Sequence, residues 1–326
     1  MVTKTSINDT SLTFTSVVSG SNDFSESRST GKNYNRAIFG FGTPSFGSGN
    51  SNITNLVNVF GNISTDTSTA GTARYGLAAA GYGGDKAIFG FGSSASALNN
   101  INLINNLGVY VSETSGSGTA RRFLAAAGYG YDKAIFGFGD SISPATFYTS
   151  TSLFNNLGAY VSETTNVSDQ QRTRLAAATY GGDKAIFGFG QYGSSQQIIS
   201  LFNNLGVSIG GFTSTAAARD SLAAATYGGD KAIFGFGSYN SSTFLNTISI
   251  FSNVGALVSE TSGVGVVRRY LAAATYGGDK AIFGFGESSS NTVLNTISRF
   301  SNLGEIVSES SGIGTARYIL AAASWG

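Results

Sequence analysis

One eleven-residue stretch constrains the fold more than any other part of this chain. It reads Tyr-Gly-Gly-Asp-Lys-Ala-Ile-Phe-Gly-Phe-Gly and occurs whole at residues 82–92, 180–190, 227–237 and 276–286. A copy with Tyr131 in place of the second glycine spans residues 129–139, and a truncated copy opens the series at Tyr34. The alanine of each copy follows the previous one after 50, 47, 51, 47 and 49 residues. A period near fifty predicts an array of one supersecondary unit.

Each unit predicts four short strands. In the hexapeptide Ala-Ile-Phe-Gly-Phe-Gly, strand alternation places Phe39 and Phe41 on one face and Gly40 and Gly42 on the other. The bare glycine face predicts close packing by the phenylalanines of the next copy. A Leu-Ala-Ala-Ala piece precedes this strand, and two further pieces, which meet at a glycine turn, follow a variable loop. Four short antiparallel strands are typical of a propeller blade.

The two ends of the chain predict a closed ring. Residues 317–326 repeat the first-strand piece with no second strand after it, whereas Tyr34 begins a second strand with no first strand before it. We therefore expect an all-β fold, a six-bladed β-propeller over residues 34–326, with four antiparallel strands per blade and the C-terminal strand completing the first blade. Residues 1–33 match no part of the repeat and are interpreted as an N-terminal arm, with a weak strand at residues 11–18. A disordered tail is the alternative.

The repeat carries two resemblances. Residues 219–237, which contain an arginine, a small-residue strand, a tight turn and an apolar strand ending in glycines, resemble a kelch motif. This resemblance covers residues 34–326 and implies a kelch-like propeller, although Gly-Phe-Gly replaces the glycine doublet of that motif. The near-identical copies also resemble repeat proteins predicted in tailed phages, especially environmental ones. That second resemblance implies a virion or tail component.

Composition argues against several functions. Lys and Arg number 19 against 18 Asp and Glu, so no basic stripe for nucleic acid is expected. Cysteine and histidine are both absent, which removes disulfides, thiolate nucleophiles, imidazole bases and the usual zinc or copper ligands. No Asp-box string of the sialidase type occurs in the chain. We therefore expect no enzyme activity, no catalytic residue, no metal and no cofactor.

The sequence also bears on localisation. The N-terminus has no apolar run of signal-peptide length, and no stretch approaches eighteen apolar residues. We expect a protein that is neither Sec-exported nor inserted in a membrane. Glycine, serine, threonine and asparagine with little charge are common in appendages and particle coats. These observations together predict a place on a virion or extracellular particle, reached by cell lysis.

Two sets of residues stand out as candidate sites. An arginine lies three residues before the leucine of every unit, at Arg74, Arg121, Arg172, Arg219, Arg268 and Arg317. A charge present in every blade is most simply a structural ion pair between blades or a turn cap. The loops between second and third strands vary and should lie on the same face as these arginines, and such loops usually carry recognition. They hold the candidate binding residues Phe46, Phe147, Tyr148, Tyr192 and Tyr239, for which local loop packing is the alternative.

Two functions remain open at this point. The first is a non-enzymatic structural component of a virion or extracellular appendage, of the phage tail, fibre or decoration type, which acts as a rigid assembly or adhesion module. Residues 1–33 would then bind other subunits or another copy of the chain. The second is a glycan-binding lectin propeller, whose partner would be a cell-surface glycan.

Overall fold

The computed structural model describes residues 36–47, 49–166, 169–288 and 291–325. Within these ranges every regular element is a β-strand, and six four-stranded antiparallel sheets form the blades of a propeller. The predicted arm at residues 1–33, with its strand at residues 11–18, lies outside the described residues and stays a prediction. The predicted fold class is confirmed for the part of the chain that is described.

The first blade is built from both ends of the described chain. Its strands, from the axis outward, are β28 (Ala321–Trp325), β1 (Arg36–Gly40), β2 (Ile53–Val57) and β3 (Thr67–Ser68). Strand β28 is antiparallel to β1, with Ala322 opposite Phe39 and Trp325 opposite Arg36. The C-terminal strand therefore completes the first blade, as predicted.

The second, third and sixth blades each contain four consecutive strands. The second blade contains β4 (Ala78–Tyr82), β5 (Lys86–Gly90), β6 (Ile101–Ile104) and β7 (Tyr110–Thr114). The third blade contains β8 (Ala125–Tyr129), β9 (Lys133–Gly137), β10 (Ser150–Phe154) and β11 (Tyr160–Thr165). The sixth blade contains β24 (Ala272–Tyr276), β25 (Lys280–Gly284), β26 (Thr296–Phe300) and β27 (Ile306–Ser311).

The fourth and fifth blades add a small hairpin in the loop between their second and third strands. The fourth blade contains β12 (Ala176–Tyr180), β13 (Lys184–Gly188), β16 (Ile198–Phe202) and β17 (Ser208–Thr213). The fifth blade contains β18 (Ala223–Tyr227), β19 (Lys231–Gly235), β22 (Ile248–Phe251) and β23 (Leu257–Thr261). The hairpins pair β14 (Gln191–Tyr192) with β15 (Ser194–Ser195) and β20 (Ser238–Tyr239) with β21 (Thr243–Phe244).

The core lies between the blades, because each of the six buried apolar clusters joins two adjacent blades. The glycine at the end of each second strand faces a phenylalanine of the next blade. A Cβ added at Gly188 would lie 2.9 Å from Cε1 of Phe234, and one at Gly284 would lie 3.0 Å from Cζ of Phe39, across the junction of the last and first blades. The predicted packing of phenylalanine on the bare glycine is therefore confirmed.

The second phenylalanine of the hexapeptide does not lie where alternation predicted. Phe41 has a φ of 66° and follows the end of β1, so it leaves the two-residue alternation of the strand. Its ring packs on Phe89 of the second blade at 5.3 Å, whereas Phe39 packs on Phe285 of the sixth blade at 5.3 Å. The prediction of both phenylalanines on one face is wrong, because a left-handed residue turns the side chain to the other side.

Candidate functional site

The repeat is interrupted at the same point in every blade, one residue before its first-strand leucine. These six positions differ from blade to blade and are Gly76, Phe123, Arg174, Ser221, Tyr270 and Ile319. Together with the six leucines they line a cavity of about 70 Å³ around the propeller axis. We call these six residues the mouth ring. Sequence reasoning missed them because it compared what the copies share, although six unlike residues between a constant arginine and a constant leucine were a visible signal.

The variable loops lie at the same end of the propeller as the mouth ring. In each blade the residue before the mouth-ring residue bridges to the first residue after Gly-Phe-Gly, as Tyr75 does with Ser93 and Arg122 with Asp140. The side chains in these bridges also differ between blades. This end, which we call the loop face, therefore concentrates the parts of the chain that do not repeat.

Backbone hydrogen bonds join the mouth ring into a closed circle. The N–H of Phe123 donates to the carbonyl of Gly76 at 2.7 Å, and the N–H of Arg174 donates to that of Phe123 at 2.8 Å. The same bond recurs blade by blade until the N–H of Gly76 donates to the carbonyl of Ile319 at 3.1 Å. Six bonds in a circle fix the backbone here, so the ring holds its side chains on a rigid frame.

The circle imposes a left-handed backbone on all six residues. Their φ values lie between 50° for Phe123 and 63° for Gly76. Only glycine adopts this region freely, and other residues are held there at a cost of about 1 kcal/mol or more each. Five of the six positions nevertheless carry a side chain, and Ile319 is β-branched, which is the least favourable type. Strain held at positions that do not repeat marks these side chains as candidates for function.

Aromatic rings cluster at the mouth ring, where the channel along the propeller axis opens on the loop face. Phe123 of the third blade and Tyr270 of the sixth lie opposite each other in the ring of blades, and their rings meet at 6.4 Å. Tyr75 packs on Phe123 at 6.0 Å, and Tyr318 packs on Tyr270 at 6.3 Å. The predicted binding residue Phe46 joins this group through Tyr318, at 4.8 Å.

Three arginines lie among these rings, and two of them are paired. The Nε of Arg122 lies 2.9 Å from Oδ1 of Asp140, and the Nε of Arg269 lies 2.6 Å from Oε1 of Glu287. Arg174 has no carboxylate within 4.0 Å among the described residues. Its guanidinium carbon lies 5.3 Å from the ring centre of Phe123.

The third acid of the loop face is held by hydroxyl groups. Asp220 is buried and accepts hydrogen bonds from Ser195, Ser221 and Ser238, at 2.5, 2.8 and 3.0 Å. Its bonding partners are therefore serine hydroxyls and not an arginine. Of the three arginines at the mouth, Arg174 alone is left without an ion pair in the described part of the chain.

The other predicted loop aromatics lie away from this group. Phe147 and Tyr192 pack edge to face at 5.4 Å, which brings the loops of the third and fourth blades together. Tyr192 and Tyr239 are each about half exposed, in β14 and β20, and Tyr148 is half-buried. Both alternatives of the sequence analysis, recognition and local packing, therefore remain open for these residues.

The six repeated arginines are fully buried and contact their own blades and the one before. In the fifth blade, Nη2 of Arg219 donates to Oγ of Ser249 at 2.5 Å, and that hydroxyl donates to Glu260 at 3.0 Å. The guanidinium of Arg219 also lies 4.3 Å from the ring centre of Phe189 in the preceding blade. Burial lowers the pKa of Arg219 to about 10, and the charge of Glu260 opposes that shift.

The pairing of these arginines differs from the expected one. The acids that lie nearest belong to the same blade, as in the 3.4 Å contact between Arg121 and Glu163 and the 3.8 Å contact between Arg317 and Asp66. The contact that joins two blades is the one between the guanidinium and a phenylalanine of the preceding blade. Arg121 and Arg317, the two of these arginines that form an ion pair, do so within the blade and not between blades as expected.

The opposite end of the channel, which we call the turn face, is chemically plain. The channel there has a volume of about 240 Å³ and is lined mainly by alanine, glycine and threonine. Threonine hydroxyls join neighbouring first strands, as when Thr226 Oγ1 donates to the carbonyl of Thr179 at 2.9 Å. Two residues depart from the repeat at this end: Tyr131, which replaces a turn glycine and is 80% exposed at a φ of 68°, and Trp325, which stands where the other blades have tyrosine.

A second unusual surface runs around the outside of the propeller. Each turn between the third and fourth strands exposes one large apolar residue, by 64 to 76%. Five of the fourth strands expose another, by 55 to 65%. We call these residues the apolar rim: Phe60, Leu107, Leu157, Leu205, Val254, Leu303, Val111, Val161, Ile209, Val258 and Val307.

Comparisons with protein-family models and with curated proteins found no match for this chain. The fold alone therefore defines the class, a six-bladed β-propeller of near-identical blades. No group of three potential metal ligands occurs among the described residues. In the same ranges there is also no helix with the length and hydrophobicity to span a membrane.

Proposed function

We propose that this protein is a non-enzymatic assembly or adhesion module, a rigid six-bladed propeller that forms a structural part of a virion or extracellular appendage. The apolar rim is the observation that carries the proposal. These large apolar side chains are exposed at equivalent places in the blades, and exposed apolar surface is one mark of a contact surface. The choice of a virion or appendage follows the resemblance of the repeats to proteins predicted in tailed phages and is part of the proposal.

The regularity of the rim favours assembly over a single partner. Every blade offers a similar small apolar contact, at the turn that contains Leu107, Leu157 or its equivalent. Several weak, equivalent contacts give tight binding when they form at the same time, because every contact after the first is intramolecular. A particle built from many subunits would engage them in this way.

The acids of the loop face support a role without catalysis. Asp140 and Glu287 are paired with arginines, and Asp220 is held by serine hydroxyls. General acid–base catalysis needs groups that can exchange a proton with a substrate near neutral pH, and most often uses histidine. The chain contains no histidine and no cysteine.

The rim can be tested by polar substitution. The variant Leu107→Asn, Leu157→Asn, Leu205→Asn and Leu303→Asn should keep the fold, because these side chains are 64 to 76% exposed, but should lose association. Sedimentation velocity over a range of protein concentrations gives the readout. The matched control is Tyr192→Ser with Tyr239→Ser, which changes exposed residues on the loop face. A wild-type protein that neither self-associates nor enters particles contradicts the proposal.

The arm is the second element of this proposal. Residues 1–33 occur once beside a body that repeats, and a unique segment is suited to a unique contact with another subunit or another copy. Removal of residues 1–30 should leave thermal unfolding unchanged and should abolish incorporation into the particle. Normal incorporation of the truncated protein would contradict a docking role for the arm.

A second candidate function is glycan binding at the loop face. It is favoured by the half-exposed aromatic rings there, including Tyr192 and Tyr239, and by the strained side chains of the mouth ring. Aromatic faces pack against the C–H faces of sugars, and polar loop side chains can bond their hydroxyls. Binding to immobilised glycans that is lost in the Tyr192→Ser and Tyr239→Ser variant, but kept in the rim variant, would favour this function.

A further inference from the structure

We propose that the mouth of the propeller on the loop face binds the carboxylate of an acidic saccharide, with Arg174 as the cation that receives it. This inference rests on the second candidate function, glycan binding, and names its ligand class. It is independent of the apolar rim.

The first observation is the free bonding capacity of Arg174. Its Nη1 donates to Oε1 of Gln191 at 2.8 Å and to Oγ of Ser241 at 3.4 Å. Its Nε is buried and has no hydrogen-bond partner, and its Nη2 donates to no described residue. A guanidinium has five N–H donors arranged to meet a planar carboxylate with two parallel bonds. With Nη1 bonded twice and Nε shielded from solvent, Nη2 is the group of Arg174 that can donate to an anion.

The second observation is charge. Arg122 and Arg269 are neutralised by Asp140 and Glu287, so neither offers a free positive charge. Arg174 keeps its charge without a carboxylate in the described part of the chain, beside aromatic rings that lower the local polarity. An ion pair gains strength where water is partly excluded. An anion is the ligand charge that this site would complement.

The third observation is the shape of the site. The cavity at the mouth ring has a volume of about 70 Å³, which suits a carboxylate but is too small for a whole sugar ring. The ring of the ligand would remain outside the cavity, against the half-buried rings of Tyr75 and Phe123. Apolar walls with a few placed polar groups are typical of small-molecule sites.

The fourth observation is that the site is preorganised. Arg174 stands in the circle of backbone hydrogen bonds at a φ of 55°, where arginine is strained. Its guanidinium lies beside both Phe123 and Tyr270, 5.3 and 5.7 Å from their ring centres. A side chain held in place before binding loses little entropy when the ligand arrives. Glycine at this position would be better for stability alone, as Gly76 is in the second blade.

Titration calorimetry with sodium glucuronate tests the inference. We expect glucuronate to bind, glucose to bind weakly or not at all, and inorganic phosphate not to compete. Arg174→Gln should weaken glucuronate binding by about tenfold or more, the effect of losing a charge-assisted contact. The matched control is Arg299→Gln, because Arg299 lies in β26, bonds the carbonyl of Gly61 and also lacks an ion pair in the described residues.

Each outcome decides the inference. Equal binding by wild type and Arg174→Gln, or equal loss in the Arg299→Gln control, overturns it. Phosphate that competes with glucuronate at similar concentration overturns the saccharide class, and failure of glucuronate to bind at all overturns the site. If Arg174→Gln melts early, Arg174→Lys provides the same test, since it keeps the charge and loses the planar fork. If the protein associates through the apolar rim but does not bind glucuronate, this inference fails and the first proposed function stands.

Discussion

At the scale of single residues, the structure depends on positions where a side chain is absent or costly. Gly188 leaves room for Phe234 of the next blade. Five residues of the mouth ring hold a left-handed backbone that glycine would adopt without strain. The first case is repeated in every blade and serves the core. The second differs between blades and faces the mouth. Glycines and phenylalanines that recur in every blade are therefore structural, whereas residues that differ between blades are candidates for function.

Gly188→Val should destabilise the propeller by about 1 to 3 kcal/mol, since the added carbons would meet Phe234 at 2.9 Å and Ile199 at 3.0 Å. The urea midpoint of unfolding measures the effect. The control is Gly49→Val, where an added Cβ meets nothing within 4 Å and the backbone is not left-handed. Equal midpoints for the two variants would mean that the space beside Gly188 is not tightly packed.

Tyr131→Gly should stabilise the protein by about 0.5 to 1 kcal/mol, because the relief of left-handed strain exceeds the entropy that glycine adds to the unfolded chain. Tyr131 has a φ of 68° and is 80% exposed, whereas Gly182 takes the same turn position in the fourth blade. Tyr131→Ala keeps the strain and removes the ring, so its stability should stay near that of wild type. A thermal melt compares the three proteins, and a less stable glycine variant would contradict the strain argument.

At the scale of elements, the outer strands of the second, third, fifth and sixth blades each carry an acid that accepts hydrogen bonds from the neighbouring strand. In the second blade, Glu113 on β7 accepts hydrogen bonds from Asn102 on β6 and from the N–H and hydroxyl of Thr72, in the connection between blades. Burial alone would raise the pKa of Glu113, but bonds from Thr72, Asn102 and Asn100 lower it to about 2. The ionised acid thus links two strands and a connection.

Stability should fall as the pH drops from about 4.5 to about 2, because Glu113 has a lower pKa in the folded state than in the unfolded chain. The contribution is present in full above the unfolded pKa and is lost as the pH falls through the folded one. Glu113→Gln should reduce this acid dependence in urea titrations at pH 5 and pH 3. Glu305→Gln changes an exposed acid for comparison. An unchanged slope in Glu113→Gln would show that the bonds to the carboxylate contribute nothing.

At the scale of the whole molecule, the ring is closed by pairing of distant parts of the chain. Strand β28 pairs with β1 along five residues, and Phe39 packs on Phe285 of the sixth blade. The mouth ring adds a closing bond from Gly76 to Ile319. Closure removes the free edges that an open array of strands would expose.

Deletion of residues 317–326 should open the ring and cause aggregation through the exposed edge of β1. It also removes Arg317, which is buried in the first blade, so the first blade should be the one that fails. Size-exclusion chromatography and the thermal midpoint measure the outcome. Arg317→Lys is the comparison, because it keeps the strand and alters only the buried cation. A deleted protein that stayed monomeric with an unchanged midpoint would disprove the role of closure.

The number of blades, their four strands, the closing strand and the contact of glycine with phenylalanine followed from the sequence by itself. These features depend on local alternation and on a repeat whose copies must all pack in the same way, so that each position is informative six times. The function, in contrast, depends on residues that occur once, and the repeat gives no information about them.

Only the tertiary structure decided three matters. A positive φ after β1 turned Phe41 to the opposite face, which a two-residue alternation cannot foresee. The ion pairs of the repeated arginines, at Arg121 and Arg317, formed within the blade and not between blades. Ring closure gathered six unlike residues, far apart in the chain, into one hydrogen-bonded circle around Arg174. Their meeting at the axis is a property of the closed ring, whereas the sequence shows only that these six positions vary.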